Sequence, residues 1–285
     1  MLYLFLAIVS NVLISILIRN SKKYAHNDMV MFATNYAFCT IIALAYMFAN
    51  NNVPLTLNVE TKPAITIGLV NGVLYLAGFV LLEMNIRYNG VILSNATTRL
   101  GGVLIPIIIA ITFFHELTQW LQLIGITLAI ISIILININD EEKINKSNKK
   151  CWLAILLLTS GFADTMANVF DKVGQTTYKN FYLFCTFLIA LLIAIIIAKK
   201  KKQKITKMDL LFGLFIGIPN YYSARFLLLS LGSVPAIVVY PIFSVGTIII
   251  TSLIGFVFFN EKLNNYKKCA LLLILISLII LNINV

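Results

Sequence analysis

The chain has 285 residues, of which 60% are hydrophobic and 12% charged, with a formal net charge of +11. Soluble domains run nearer about 45–50% apolar and about 25% charged. A mean hydropathy of +0.94 therefore excludes soluble globular, disordered, collagen-like and disulfide-stapled classes. A hydrocarbon core of about 30 Å takes roughly 20 apolar helical residues, so ten spans would use about 200 residues and leave only short connections. The expectation is an all-α, multi-pass membrane protein with no room for an extramembrane domain.

Ten apolar runs follow one another along the chain: Leu2–Ile18, Asp28–Ala49, Ala64–Ile86, Gly90–Phe114, Gln119–Asn137, Cys151–Asp171, Tyr178–Ala198, Asp209–Leu231, Pro235–Phe259 and Tyr266–Asn284. Their lengths favour helices over barrel strands, which would show alternating segments of about ten residues. The first run is read as a retained helix, because a signal peptide wants positive charge before its apolar stretch and here Arg19, Lys22 and Lys23 follow it. The four cysteines, Cys39, Cys151, Cys185 and Cys269, lie in or at the edge of apolar runs without metal-like spacing, which suits packing rather than metal binding.

The basic residues are distributed by side. The odd-numbered connections hold 17 of them, including Arg19, Arg87, Lys143 and the run from Lys199 to Lys207, against three (Lys62, Lys172 and Lys179) in the even-numbered ones. This positive-inside asymmetry places both termini outside the plasma membrane and the lysine run in the cytoplasm. It also makes the run a topology determinant rather than a nucleic-acid site.

A shift of 145 positions aligns the two halves. Gly68, Gly72 and Gly101 fall on Gly213, Gly217 and Gly246; Phe113-Phe114 and Glu116 fall on Phe258-Phe259 and Glu261; Ser132 falls on Ser277, and Asn137-Ile138-Asn139 on Asn282-Ile283-Asn284. The expected units are residues 1–139 and 151–285, joined by 140–150. With five helices in each, the second repeat is inverted relative to the first, the arrangement from which many secondary transporters build a midplane site.

The segment Phe113-Phe114-His115-Glu116-Leu117-Thr118, followed by Leu121-Gln122-Leu123-Ile124-Gly125-Ile126, resembles the Glu-containing junction between helices four and five of EamA-type repeats, in the drug/metabolite transporter superfamily. The second copy carries Phe258-Phe259-Asn260-Glu261-Lys262-Leu263, and Pro235-Ala236 with Tyr240-Pro241 resembles that family's ninth helix. The resemblance implies a ten-helix transporter. One feature departs from it: ten-helix members usually keep both termini in the cytoplasm, opposite to the lysine count.

Ionisable residues inside spans cost at least about 2.5–3.5 kcal/mol each on insertion scales, so they are functional candidates. The clearest are Glu83, Arg99, Asp164 and Arg225. Asn95, Arg99, Gly102 and Pro106 share one stripe of the fourth span, and Gly72, Tyr75, Phe79 and Glu83 share one of the third. The eighth span carries Asn220, Tyr221 and Tyr222 about one turn before Arg225, and the second adds Asn35 and Tyr36. Arginine offers a fixed fork of donors for carboxylate or phosphate, and tyrosine an apolar face with a polar tip. The candidate substrate-binding set is therefore Arg99, Arg225, Tyr75, Tyr221, Tyr222, Asn35, Asn95 and Asn220. Pairing of Glu83 with Arg99, or of Asp164 with Arg225, to neutralise buried charge stands beside that reading.

Asp164 and Glu83 are the candidates for proton or ion coupling. Asp164, Asn168 and Asp171 follow one another at spacings of four and three, and with a small slip in register Asn11 and Ser15 stand at matching places in the first span. In the small multidrug resistance proteins, which are related to this superfamily, a membrane-embedded carboxylate on the first helix binds both proton and cationic drug. That resemblance reaches this chain only through Asp164. Glu116 and Glu261, each between a long span and the next helix, fit a turn-forming role at a helix N-terminus. Pro106 and Pro241 are candidate hinges.

No nucleophile–histidine–acid set, glycine-rich phosphate loop or metal-ligand cluster stands in the sequence, so neither an enzyme nor a cofactor or metal is expected. The expected partners are a small-molecule substrate and the lipid bilayer, with no nucleic acid, and a monomer or homodimer. The reading is a secondary transporter of a small anionic or zwitterionic metabolite, such as an amino acid or organic acid. Its alternatives are a proton-coupled exporter of lipophilic cations acting through Asp164, and a non-transporting membrane scaffold.

Overall fold

A computed structural model of the chain describes residues 2–50, 54, 58–113, 120, 121, 123–125, 127, 128, 131, 147–233, 236–260 and 265–282. Among the described residues every regular element is helical. They are α1 (Leu2–Ser21), α2 (Asp28–Ala49), α3 (Lys62–Phe113), α4 (Ser147–Val173), α5 (Lys179–Lys200), α6 (Lys207–Leu231), α7 (Ala236–Phe259) and α8 (Asn265–Asn282), with a single 3-10 turn, Thr176–Tyr178, before α5. Among the described residues six stretches are long and apolar enough to cross a membrane: Leu2–Ser21, Asp28–Ala49, Lys62–Pro106, Cys151–Val173, Thr176–Lys200 and Ile242–Phe259. The expected fifth span, Gln119–Asn137, lies mostly outside the described residues, as do His115, Glu116 and Glu261.

Local chemistry explains where these helices begin and break. α3 has 52 residues, about 78 Å at 1.5 Å per residue and more than twice a hydrocarbon core. It is two helices meeting at a kink at Gly90, where φ is 82° and ψ is 170°. That backbone region admits glycine without a Cβ penalty, and the break falls where the third and fourth apolar runs part. Pro106 keeps helical dihedrals inside α3, although its missing N–H leaves the Gly102 carbonyl without a helical donor. α6 opens on a reciprocal cap: Thr206 accepts from the Asp209 N–H, and the Asp209 carboxylate accepts from the Thr206 N–H. The same carboxylate accepts from the His26 N–H at 2.9 Å and the Asn27 N–H at 3.2 Å, tying the α1–α2 connection to the start of α6.

The chain forms two compact units, Met1–Val80 with Met166–Val234, and Leu81–Thr165 with Pro235–Val285. In the first unit α2 lies against both α5 and α6, and α1 lies against α6. Two glycine seams bring these backbones close. A Cβ at Gly213 would lie 2.5 Å from the Thr34 Cβ and 2.6 Å from the Met31 oxygen, while one at Gly68 would lie 2.8 Å from the Cys185 Cβ and 3.2 Å from the Tyr182 oxygen. One turn on, Gly217 meets the Asn35 oxygen and Phe38, and Gly72 meets the Thr186 oxygen and Ile189. The glycines of the two seams differ by 145 positions (213 against 68, 217 against 72). Their partners on α2 and α5 differ by 151 (185 against 34, 182 against 31, 186 against 35, 189 against 38).

The second unit is closed by a similar small-residue contact between α4 and the part of α3 after Gly90. Gly101 faces the Leu157 carbonyl, Gly161 faces Gly101 and Ile105, and Ser160 donates to the Thr98 oxygen at 3.1 Å. Small residues in membrane helices allow this approach, and dispersion and polar contacts then hold it. Gly101→Ala would drive a methyl group onto a backbone carbonyl, and is expected to cost about 1–3 kcal/mol, read as a lower melting temperature in detergent. Gly232→Ala, whose nearest neighbour is a side-chain end, Nζ of Lys179, rather than a backbone carbonyl, is expected to change that temperature less.

Candidate functional site

The expected site residues fall into two groups. The first unit holds Arg225, Tyr221, Tyr222, Asn220, Asn35 and Tyr75; the second holds Arg99, Asn95, Asp164, Glu83, Pro106 and Pro241.

In the first unit the sequence Asn220-Tyr221-Tyr222-Ser223-Ala224-Arg225 puts Tyr221 and Arg225 one turn apart on α6. Nη1 of Arg225 donates to the Tyr221 hydroxyl at 3.1 Å and to Oδ1 of Asn180 on α5 at 2.7 Å. Its guanidinium lies over the Tyr46 ring of α2, 3.6 Å from the centroid. Tyr46 and Tyr221 stack with centroids 5.9 Å apart and planes at 11°, so one aromatic wall carries both the cation and its hydroxyl acceptor. Tyr222 stands edge-on to Tyr221 and stacks on Phe226. These contacts fix the plane of Arg225 through neutral acceptors and a ring face. Among the described residues it has no carboxylate partner.

Deeper in the same unit, Tyr75 meets the edge of Phe187, Phe187 lies 6.0 Å from Tyr221, and Tyr36 stacks on Phe187. Asn220 donates to Oδ1 of Asn35 at 3.2 Å, and the Cys39 thiol donates to the Gly217 oxygen at 3.3 Å. On α1, Asn11 donates to the Ser223 hydroxyl at 3.5 Å, so it contributes to α1–α6 packing. Asp171 pairs with Lys179 at 2.8 Å at the α4–α5 turn.

In the second unit the arginine sits differently. Arg99 is buried, its guanidinium 4.7 Å from the Phe243 ring centroid, and its backbone oxygen accepts from Ser244. Arg99 lies within electrostatic reach of Asp164. The Asp164 carboxylate packs against Gly102 so closely that a Cβ there would overlap it, while the Tyr240 hydroxyl donates to the Asp164 backbone oxygen at 3.0 Å. Asn95 folds its amide back onto the Val91 oxygen of its own helix. Glu83 is buried and pairs with Arg87, four residues on, at 3.3 Å. Pro241 lies within α7.

Two members of the Arg225 cluster escape a reading of intramembrane charge and helix stripes. Asn180 had a signal, since the 145-residue shift carries Asn35 onto it. Tyr46 had none, being one of 12 tyrosines in an apolar run. Among the described residues no group of three or more histidine, cysteine or acidic side chains is gathered as a metal site would require.

Residues 151–283 match the model of the EamA-like transporter family. An uncharacterised protein of Haemophilus influenzae is 22% identical over 269 residues, spanning 92% of this chain and 90% of that one. A protein of known crystal structure shares the fold with a TM-score of 0.63 at 11% identity, over 98% of this chain and 95% of that one.

Proposed function

We propose that this chain, which through residues 151–283 belongs to the EamA-like transporter family and so to the drug/metabolite transporter superfamily, carries a small anionic or zwitterionic metabolite across the membrane by alternating access. The observation that carries the reading is Arg225. Its guanidinium is oriented by Asn180, Tyr221 and the Tyr46 ring, and no carboxylate among the described residues neutralises it. A cation in a span is costly, and a carboxylate or phosphate group of a ligand is the counter-charge that relieves the cost with charge-assisted bonds.

The reading extends to the whole chain as ten spans in two inverted five-helix repeats, residues 1–139 and 151–285, with both termini outside. The paired glycine seams support a duplication, since four backbone and side-chain contacts of α6 on α2 recur between α3 and α5 in one register. Arg225 with Tyr221, Tyr222, Asn220, Asn35 and Tyr75 forms the substrate-facing set of the first unit, and Arg99 with Asn95 that of the second. Glu116 and Glu261 shape turns, and Pro106 and Pro241 act as hinges. Coupling to a proton or ion falls to Asp164 or Glu83. The charge of Arg99 beside Asp164 disfavours the capture of a lipophilic cation there.

Reconstituted vesicles test this reading. Uptake of labelled amino acids and organic acids is measured against uptake of tetraphenylphosphonium. Saturable uptake from the anionic or zwitterionic set supports it. Transport of the lipophilic cation alone, abolished by Asp164→Asn, would replace it with the exporter, and no flux of any class would favour a scaffold.

A further inference from the structure

Four buried side-chain atoms of the first unit have no partner among the described residues: Oδ1 of Asn71, Oε1 of Gln203, and, adjacent to one another on α2, the hydroxyl of Tyr36 and Nδ2 of Asn35, the last two on residues with 0% exposure. Native proteins rarely leave such groups unmade, and each one asks for an explanation. The seam geometry supplies an internal control. Under the 151-position correspondence of α2 with α5, Tyr36 matches Phe187, and the two rings stack on each other at 6.3 Å. The same place in the helix pair is thus filled once by an aromatic ring without a hydroxyl, so packing alone does not call for the oxygen on Tyr36. Asn35 matches Thr186, whose hydroxyl is satisfied by the Tyr182 oxygen at 2.9 Å. The α3–α5 seam leaves Oδ1 of Asn71 without a partner, while between α2 and α5 unused hydrogen-bonding capacity lies on α2.

That capacity lies beside the Arg225 cluster. Oδ1 of Asn35 is held by Asn220, which fixes the amide so that Nδ2 is the end left over. Asn220 precedes Arg225 by five residues on α6, a rise of about 7.5 Å. We propose that the Tyr36 hydroxyl and the Asn35 amide form an uncharged subsite for a hydroxyl, carbonyl or amide group of the transported molecule, whose anionic group is held at Arg225. The inference rests on the transporter reading above. It narrows the substrate class to molecules that carry a neutral polar group in addition to their carboxylate or phosphate. Both groups are covered in this structure, so the ligand reaches them when the lining helices move, the step that alternating access provides.

The test uses the purified full-length protein and matched probes: glutamine against norleucine, and hydroxyhexanoate against hexanoate. Melting temperatures are recorded for wild type, Tyr36→Phe, Arg225→Ala and Tyr182→Phe, the last removing a hydroxyl that is already bonded to Asn71. Without ligand, Tyr36→Phe is expected to melt at or above wild type, whereas Tyr182→Phe melts below it. Wild type is expected to prefer the polar-tailed member of a pair by up to about tenfold in affinity, one hydrogen bond's worth, and Tyr36→Phe to lose that preference. The subsite is overturned if Tyr36→Phe melts below wild type, or if the wild-type preference is absent or survives the substitution while stabilisation still depends on Arg225. If no probe stabilises wild type, or stabilisation is indifferent to Arg225→Ala, the transporter reading fails and the subsite with it.

Discussion

Arg225→Ala is expected to abolish transport while leaving the protein in the membrane. The side chain makes two hydrogen bonds and one ring contact within the first unit, and its loss removes the charge that a ligand anion would meet. Hydrogen bonds to charged groups contribute about 1.5–3 kcal/mol each, so losing one or two weakens binding by at least roughly tenfold to a hundredfold. Arg225→Lys is expected to restore little. An ammonium keeps the charge but cannot hold the Asn180 and Tyr221 oxygens in one plane while lying flat on Tyr46. Uptake in vesicles, normalised to protein content, reads both variants; wild-type flux in Arg225→Ala would remove Arg225 from the site.

The second large effect belongs to the other arginine. Arg99 is buried, and the Asp164 carboxylate is wedged against Gly102 within reach of its charge. The two charges interact through space rather than through a contact ion pair, so removing Arg99 leaves Asp164 less compensated at a cost below the about 3–5 kcal/mol of breaking a buried pair, whereas replacing both by apolar groups is often neutral. Arg99→Met is therefore expected to lower the melting temperature, and Arg99→Met combined with Asp164→Leu to recover most of the loss. Additive effects in this double-mutant cycle would show that the two charges act independently.

The all-helical character of the described residues and the break at Gly90 were legible in the sequence because they follow from apolar length and from one glycine. Gly90 lies where a 52-residue helix would have overrun the bilayer. The glycine contacts were half legible. The 145-residue shift pairs Gly68 with Gly213 and Gly72 with Gly217, but it does not say which helices they touch, and α2 matches α5 with a different offset. A shift that tracks one helix misses its neighbour when the connection between them differs in length.

The charges show the limit of stripe reasoning. A stripe says which face is buried and not which helix faces it. The Arg225 of the expected site rests on Tyr46 of α2 and Asn180 of α5, which a stripe on α6 does not identify. The sequence offers Arg225 as a counter-charge for Asp164, whereas the charge within electrostatic reach of Asp164 is Arg99. Glu83 was a coupling candidate, yet the four-residue spacing to Arg87 already permitted the ion pair found. Nothing in the sequence marks Tyr36 as different from a packing tyrosine, since its unpartnered hydroxyl exists only once the helices are assembled.

The central claim is that an anionic or zwitterionic molecule binds at Arg225. Thermal stability of the purified wild type and Arg225→Ala, each against a panel of organic acids, amino acids and lipophilic cations, tests it most directly, because a ligand that binds only the folded state must raise the melting temperature by mass action. The account predicts that one class of anions or zwitterions stabilises wild type, by about 2.7 kcal/mol at a hundred times its Kd, and leaves Arg225→Ala unchanged. Equal stabilisation of both proteins, or stabilisation by lipophilic cations alone, would contradict it.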